Sequence, residues 1–219
     1  MHSSENQPKN NNIKVIFLDW NQTLSHSLFW GHLKDVNNKN NHIERPIINW
    51  LFHENRHIVN DWIRGKFSSE EVCEKISLDT GIDRNIIFDE LVESCKSMTF
   101  YDPELITIIQ NLRQSGLKVV VASDNMDTFR KYTIPTLKLD SIFDDFLISS
   151  EIGFGKEDSL NGRSLFFDNY MSEKGFSYNE AVLFDDSANK MEICRELGMD
   201  TILVKDPIEF MTDLKSYIQ

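Results

Sequence analysis

The chain has 219 residues, 40% of them hydrophobic and 26% charged, a globular composition long enough for one core with a large insertion or for two small domains. Its formal net charge of -12 repels nucleic acid and anionic membrane as general partners, so a phosphorylated ligand would need a local set of donors or a metal. Cys73, Cys95 and Cys194 give neither a metal spacing nor a disulfide framework, no apolar run reaches membrane-spanning length and no signal-peptide core is present, so the expected setting is the cytoplasm.

Residues 1–12 are mostly Ser, Asn, Gln and Lys and read as a disordered tail. Residues 13–18 form an apolar run rich in β-branched and aromatic side chains, the pattern of a buried strand. Asp19 stands at its carboxyl end, where parallel α/β sheets open their ligand crevice, and Asn21 and Thr23 occupy the next turn.

Residues 25–98 contain no clear strand and read as an all-helical insertion. Its stretch 32–41 is polar and Asn-rich, a loop or frayed helix end. Residues 46–64 predict one helix with Ile47, Leu51, Ile58 and Trp62 on its apolar face; Trp50, Phe52 and Phe67 are expected in the same small core. On the opposite face His53, Arg56, His57, Asn60 and Arg64 read as solvated, and the His53/His57 pair lacks a third ligand for a metal. Ser68 and Ser69 with Glu70 and Glu71 start a second helix that ends at Gly81, and Asp83 caps a third.

From residue 99 the pattern changes to alternating strands and helices. Asp102 and Pro103 open a helix that stops at Gly116, residues 117–122 are a strand ending in Ser123-Asp124-Asn125, and a helical stretch is interrupted at Pro135. A short strand at 146–148 precedes Gly153, Gly155 and Lys156; a helix spans 164–174; and a strand at 181–184 ends in Asp185-Asp186. A helix at 188–197, a strand at 201–204 and a helix opened by Asp206-Pro207 complete the chain. The fold expected is a Rossmann-like α/β core, a parallel sheet with helices on both faces, built from 13–24 and 99–219, with a helical cap at 25–98.

A parallel sheet brings Asp19, Ser123, Lys156 and the Asp185/Asp186 pair to one edge. Clustered carboxylates require a cation, and hard oxygen donors suit Mg²⁺. A free carboxylate can attack a phosphoryl group, while a lysine and a hydroxyl hold its oxygens, so the set is coherent as a metal-assisted phosphoryl-transfer site. Asp124 and Asn125 read first as turn caps; Trp20, Asn21, Thr23 and Asn125 are candidates for the substrate side, Trp20 by narrowing the pocket.

Asp19-Trp20-Asn21-Gln22-Thr23, Ser123 after a strand, Lys156 after Gly-Phe-Gly, and Asp185-Asp186 before Ser-Ala resemble in order and spacing the four motifs of the haloacid dehalogenase superfamily. The resemblance implies a mobile helical cap and, in most members, a Mg²⁺-dependent phosphatase acting on a small phosphorylated metabolite. It makes Asp19 the nucleophile that forms an aspartyl-phosphate, and Asp19, Asp185, Asp186 and the Asn21 carbonyl the metal ligands. Ser123 and Lys156 would bind the phosphoryl group.

One departure stands out. Asn21 occupies the position of a second Asp that serves family phosphatases as general acid and base. An amide cannot take that role, and its loss costs about 10²- to 10⁴-fold in rate. The expectation is a slow hydrolase or one limited to good leaving groups. A weakly active binding or regulatory protein is the main alternative, and a phosphotransferase is disfavoured for want of the same acid-base group. A metal-independent dehalogenase is disfavoured by the Asp185-Asp186 pair.

Overall fold

The computed structural model describes residues 12–218, so nearly all of the expected tail lies outside the described residues. Five parallel strands build the main sheet: β1 (Val15–Leu18), β2 (Lys118–Ser123), β3 (Asp145–Ile148), β6 (Ala181–Asp185) and β7 (Asp200–Leu203), in the order β3-β2-β1-β6-β7. A two-stranded hairpin, β4 (Ser159–Leu160) with β5 (Arg163–Ser164), lies apart from it. The architecture is the expected Rossmann-like one with a helical cap.

The central strands are apolar throughout because both faces of the sheet are covered. Alternation by two sorts their side chains. Ile16, Leu18, Val119, Val121, Val182 and Phe184 enter one hydrophobic layer, beneath α5 (Glu104–Gln114) and α11 (Pro207–Lys215). Val15, Phe17, Val120, Ala122, Ala181 and Leu183 enter the other, beneath α9 (Asp168–Lys174) and α10 (Glu192–Glu196). The registers Leu18↔Val121 and Leu18↔Phe184 bring the carboxyl ends of β1, β2 and β6 level.

The cap comprises α1 (Asn41–Asn49), α2 (Arg56–Trp62), α3 (Ser69–Thr80) and α4 (Arg84–Lys96) around its own core of Trp30, Trp50, Trp62, Ile76 and Leu91. All three buried indoles donate hydrogen bonds: Trp30 to Ile87 O (3.1 Å), Trp50 to Asp79 (2.7 Å) and Trp62 to Ser69 Oγ (3.1 Å). Caps form where the sequence signals them. Ser68 and Glu71 make a reciprocal capping box on α3, Gly81 closes it at φ 72°, and Asp83 caps α4.

The single helix expected over 46–64 is two. α1 begins earlier, at Asn41, and carries Pro46 inside it; a wide turn, Trp50–Glu54, then leads to a break at Asn55. Asn55 directs both its backbone N–H (2.9 Å) and its side-chain amide (3.2 Å) to Trp50 O, so a local polar side chain outcompetes the regular ladder. Ile47, Leu51 and Trp62 are buried as expected, but Phe52 is exposed beneath Arg56.

The helix expected over 164–174 starts only at Asp168 because the β4–β5 hairpin takes Ser164, whose Oγ then accepts the Phe166 and Phe167 N–H groups in a turn. The hairpin's own turn, Asn161-Gly162, has both φ values positive, at 53° and 72°, the conformation that dipeptide favours. The stretch 188–197 begins as a tight turn, Ala188–Met191, before α10. Around Pro135 a wide turn, Phe129–Thr133, leads into the short helices α6 (Ile134–Leu137) and α7 (Leu139–Ile142). The last short helix, α8 (Ser149–Ile152), follows β3 and leads to the Lys156 loop.

Candidate active site

Asp19 follows β1 directly, and its N–H bonds Phe184 O of the neighbouring strand (3.0 Å). The two-residue alternation continues past the strand. Asp19 follows the parity of Val15 and Phe17, and Trp20 follows that of Ile16 and Leu18. Trp20 therefore does not narrow a pocket: it is fully buried in the α5/α11 layer, against Phe100 (5.4 Å) and Phe129 (5.3 Å).

Carboxylate oxygens of Asp19, Asp185 and Asp186 converge within 4.8 Å of one another. Asp19 and Asp185 are buried, and Asp186 is exposed at the rim. Three hard oxygen donors at this spacing fit a small divalent cation such as Mg²⁺. Asn21 is half-buried in a turn closed by Gln22 N–H to Ser25 O (2.8 Å), with Gln22 itself left-handed at φ 59°.

The fully buried Lys156 runs into this cluster. Its ammonium donates to Asp19 Oδ1 (2.8 Å) and Ala122 O (3.0 Å) and is ion-paired with Asp185 Oδ2. Burial works against its charge, but the Asp19, Asp185 and Asp124 carboxylates hold its pKa above the ordinary lysine value. Burial raises the Asp19 carboxyl to about 6, the positive Lys156 opposing the shift and the Asp185 charge adding to it. Asp186 is likewise raised, by partial desolvation of its rim carboxyl and then by its neighbour Asp185.

Ser123 ends β2 wholly buried, and its Oγ has no protein hydrogen-bond partner among the described residues. Asn125 is equally buried: its N–H bonds Ser149 Oγ (2.9 Å), its Oδ1 accepts from Met126 N–H (3.0 Å), and its Nδ2 has no partner among the described residues. Buried polar atoms are normally satisfied, so unpaired ones beside a carboxylate cluster suit a polar ligand. Thr23 Oγ1 is a third such atom, in a cleft of about 310 Å³ whose walls include Gln22, His26, Tyr101, Lys205 and Asp186.

Three residues gain functional placement that the sequence reading missed. Asp124 is buried, accepts Lys156 N–H on Oδ1 (3.1 Å) and pairs with Lys190 on Oδ2 (2.7 Å). Despite burial, the two lysine charges hold its carboxyl below the ordinary range. Lys190 comes four residues after Asp186, one turn on, which was the available signal. Arg64 leaves the solvated face expected for it and joins the cap to the Lys156 loop, pairing with Glu157 (2.7 Å) and Asp158 (2.8 Å). Arg64 lies in the turn beyond α2, so the face read from a single 46–64 helix did not apply to it.

Residues 63–204 match the family model described as haloacid dehalogenase-like hydrolase. The match takes in Ser123, Lys156, Asp185 and Asp186, and the sheet register joins Asp19 to them. Among solved structures, the chain resembles a predicted HAD-like family hydrolase from Porphyromonas gingivalis, at 18% identity and TM-score 0.66, covering 92% of this chain and 97% of that one. It also resembles a HAD family enzyme from Bacteroides thetaiotaomicron in complex with magnesium and inorganic phosphate, at 17% identity and TM-score 0.62, with coverage of 88% and 94%. L-2-haloacid dehalogenase from Xanthobacter autotrophicus, with chloropropionic acid covalently bound, matches at 14% identity and TM-score 0.61, with coverage of 88% and 77%. At these identities the structural likeness establishes the fold.

Proposed function

The chain belongs to the haloacid dehalogenase-like hydrolases, and from that premise we propose that it is a Mg²⁺-dependent phosphatase acting on a small phosphorylated metabolite. The convergence of the Asp19, Asp185 and Asp186 oxygens around the Lys156 ammonium carries this reading. Asp19, Asp185, Asp186 and the Asn21 carbonyl are the residues that would hold the metal, which when bound supplies positive charge to offset that of the phosphoryl group.

In the proposed reaction an Asp19 oxygen attacks phosphorus and the bond from phosphorus to the leaving oxygen breaks, its electron pair leaving with that oxygen. Water then attacks the phosphorus of the aspartyl-phosphate, releasing inorganic phosphate and restoring the Asp19 carboxylate. Lys156 and the unpartnered Ser123 hydroxyl supply donors to the phosphoryl oxygens. Asn21 delivers no proton to the leaving group, so substrates whose leaving group departs as a stable anion, such as acyl phosphates, are favoured.

The magnesium and phosphate held by the Bacteroides relative support this reading. The dehalogenase relative supports a second one, an Asp19 attack on carbon that expels halide, and that chemistry brings no cation to offset the Asp185/Asp186 charges beside the nucleophile. We place the protein in the cytoplasm, a setting supported by three free, buried thiols. Separately, among the described residues no helix is long and apolar enough to cross a membrane.

Phosphate release from a panel of monoesters and acyl phosphates, with Mg²⁺ and with EDTA, tests the proposal beside an Asp19→Asn control. Release that needs the metal and disappears in the control is expected. Halide release from 2-haloacids that ignores EDTA would transfer the protein to the second reading, and no turnover of any compound would leave a binding protein.

A further inference from the structure

The two lysines of the site differ in what they have left to give. An ammonium carries three N–H donors. Lys156 is wholly buried and directs its nitrogen at three acceptors, Asp19 Oδ1, Asp185 Oδ2 and Ala122 O. Among the described residues Lys190 has one ion-pair partner, Asp124 Oδ2 at 2.7 Å, and its side chain remains 30% exposed. Two of its donors are thus uncommitted at the accessible side of the cluster.

Charge makes the same demand. Asp19, Asp124, Asp185 and Asp186 bring four negative charges against two lysines, and one divalent cation makes the formal sum zero. Without Lys190 the loaded site would stay negative when a phosphoryl dianion arrives, and like charges in a water-poor site repel strongly. Asp124 fixes where this second charge sits. It holds the Lys190 nitrogen on Oδ2, the same oxygen that lies 4.0 Å from the Lys156 nitrogen, and its Oδ1 holds the Lys156 backbone.

We infer that Lys190, borne on the turn after Asp186 and held by Asp124, is a second phosphoryl-binding lysine of this site. The inference rests on the phosphatase reading: Lys190 brings uncommitted donors to a non-bridging phosphoryl oxygen, beside Lys156, whose donors reach a phosphoryl oxygen only by exchanging a present acceptor.

Inorganic phosphate is the probe, its binding followed by ³¹P NMR on the full chain with Mg²⁺ present. Lys190→Met alone strands a buried Asp124 and can fail by misfolding, so the decisive comparison is D124N/K190M against D124N. In D124N the Lys190 ammonium loses its counter-charge but keeps its accessible side to water, in D124N/K190M both charges of the pair are gone, and in each the amide oxygen that replaces the Asp124 carboxylate keeps an acceptor for the Lys156 N–H. The expected result is phosphate affinity about tenfold or more weaker in the double variant, the change that losing a charge-assisted hydrogen bond produces. KM should rise with it more than kcat falls, and K190R should restore most of the affinity. Equal phosphate affinity in D124N and D124N/K190M overturns the role of Lys190 while leaving the phosphatase reading intact if the wild type hydrolyses phosphate compounds. A wild type that neither binds phosphate nor hydrolyses any of them overturns both.

Discussion

Replacing Gly65 with alanine measures how tightly the cap is seated on the sheet. Gly65 follows α2 at φ +70°, and a Cβ built there lies 2.1 Å from Ser150 O and 3.0 Å from Ser150 C. Such a carbon-to-oxygen contact settles near ~3.3 Å, so the two backbones must separate by about 1 Å. The junction has little room for that movement. Ser149 Oγ donates to Ile63 O on one side, and Arg64 is clamped to Glu157 and Asp158 on the other. The left-handed conformation costs alanine about 1–2 kcal/mol. Forced separation of packed segments adds about 1–3 kcal/mol, and loss of the Ser149 hydrogen bond about 1 kcal/mol. At about 2–4 °C per kcal/mol for a chain of this size, Tm should fall by on the order of 10 °C. Gly81→Ala is the matched control: Gly81 has φ +72° but nothing within 4 Å of its Cβ position, so only the conformational cost applies. Thermal unfolding followed by circular dichroism reads both. Equal losses in the two variants would refute the Ser150 contact as the cause.

Asn21→Asp restores a proton donor two residues after the proposed nucleophile, and turnover of alkyl phosphates should rise, by up to about 10²-fold, with little gain on acyl phosphates; a gain equal on both would show that Asn21 does not limit leaving-group departure. Mg²⁺ at about 100 times its Kd should stabilise the fold by ~2.7 kcal/mol, seen as a Tm increase that EDTA reverses and Asp186→Asn diminishes; an unchanged Tm with Mg²⁺ would count against the carboxylate cluster as its site. Asp144 accepts Val119 N–H (3.0 Å) and pairs with Arg113 and Lys118 (both 3.2 Å); although burial works the other way, these partners hold its carboxyl below the ordinary range. Because the folded-state pKa is depressed, the stabilisation is present above the unfolded value of about 4 and disappears as pH falls through the folded one. Asp144→Asn should therefore flatten the acid limb of stability, and superimposable acid limbs would refute the assignment.

The sheet and the clustering of polar side chains at its edge were readable because both depend on short-range patterns. Residues 15–18 and 181–184 are apolar without a break, as strands covered on both faces must be, and each is followed by a carboxylate. Trp20 was misassigned although its fate is also short-range: it continues the parity of Ile16 and Leu18 into the hydrophobic layer. The β4–β5 hairpin was signalled by Asn161-Gly162 and overlooked in favour of a longer helix. The break at Asn55 was less accessible, since it turns on one side chain choosing Trp50 O over water. Contacts across the cap junction were not readable at all. Nothing local tells Arg64 that Glu157 and Asp158, more than ninety residues away, will meet it.

The phosphatase and dehalogenase readings begin with the same atom, an Asp19 oxygen, and diverge in the charge each must manage. Halide expulsion puts one negative charge on a departing ion that needs no proton, and it brings no cation to offset Asp185 and Asp186 beside the nucleophile. Burying like charges without a counterion is expensive, and here Lys156 and Lys190 offset two of four carboxylates, three of which are buried. On the phosphatase reading that surplus has a use, because a divalent cation consumes it and a phosphoryl dianion then meets a neutral site. Asn21 acts on the other end of the same reaction. With charge supplied at the phosphoryl group and no proton supplied at the leaving oxygen, rate depends on how readily that oxygen departs as an anion. The two features together favour a phosphoryl donor with an acidic leaving group over a simple sugar or alcohol phosphate.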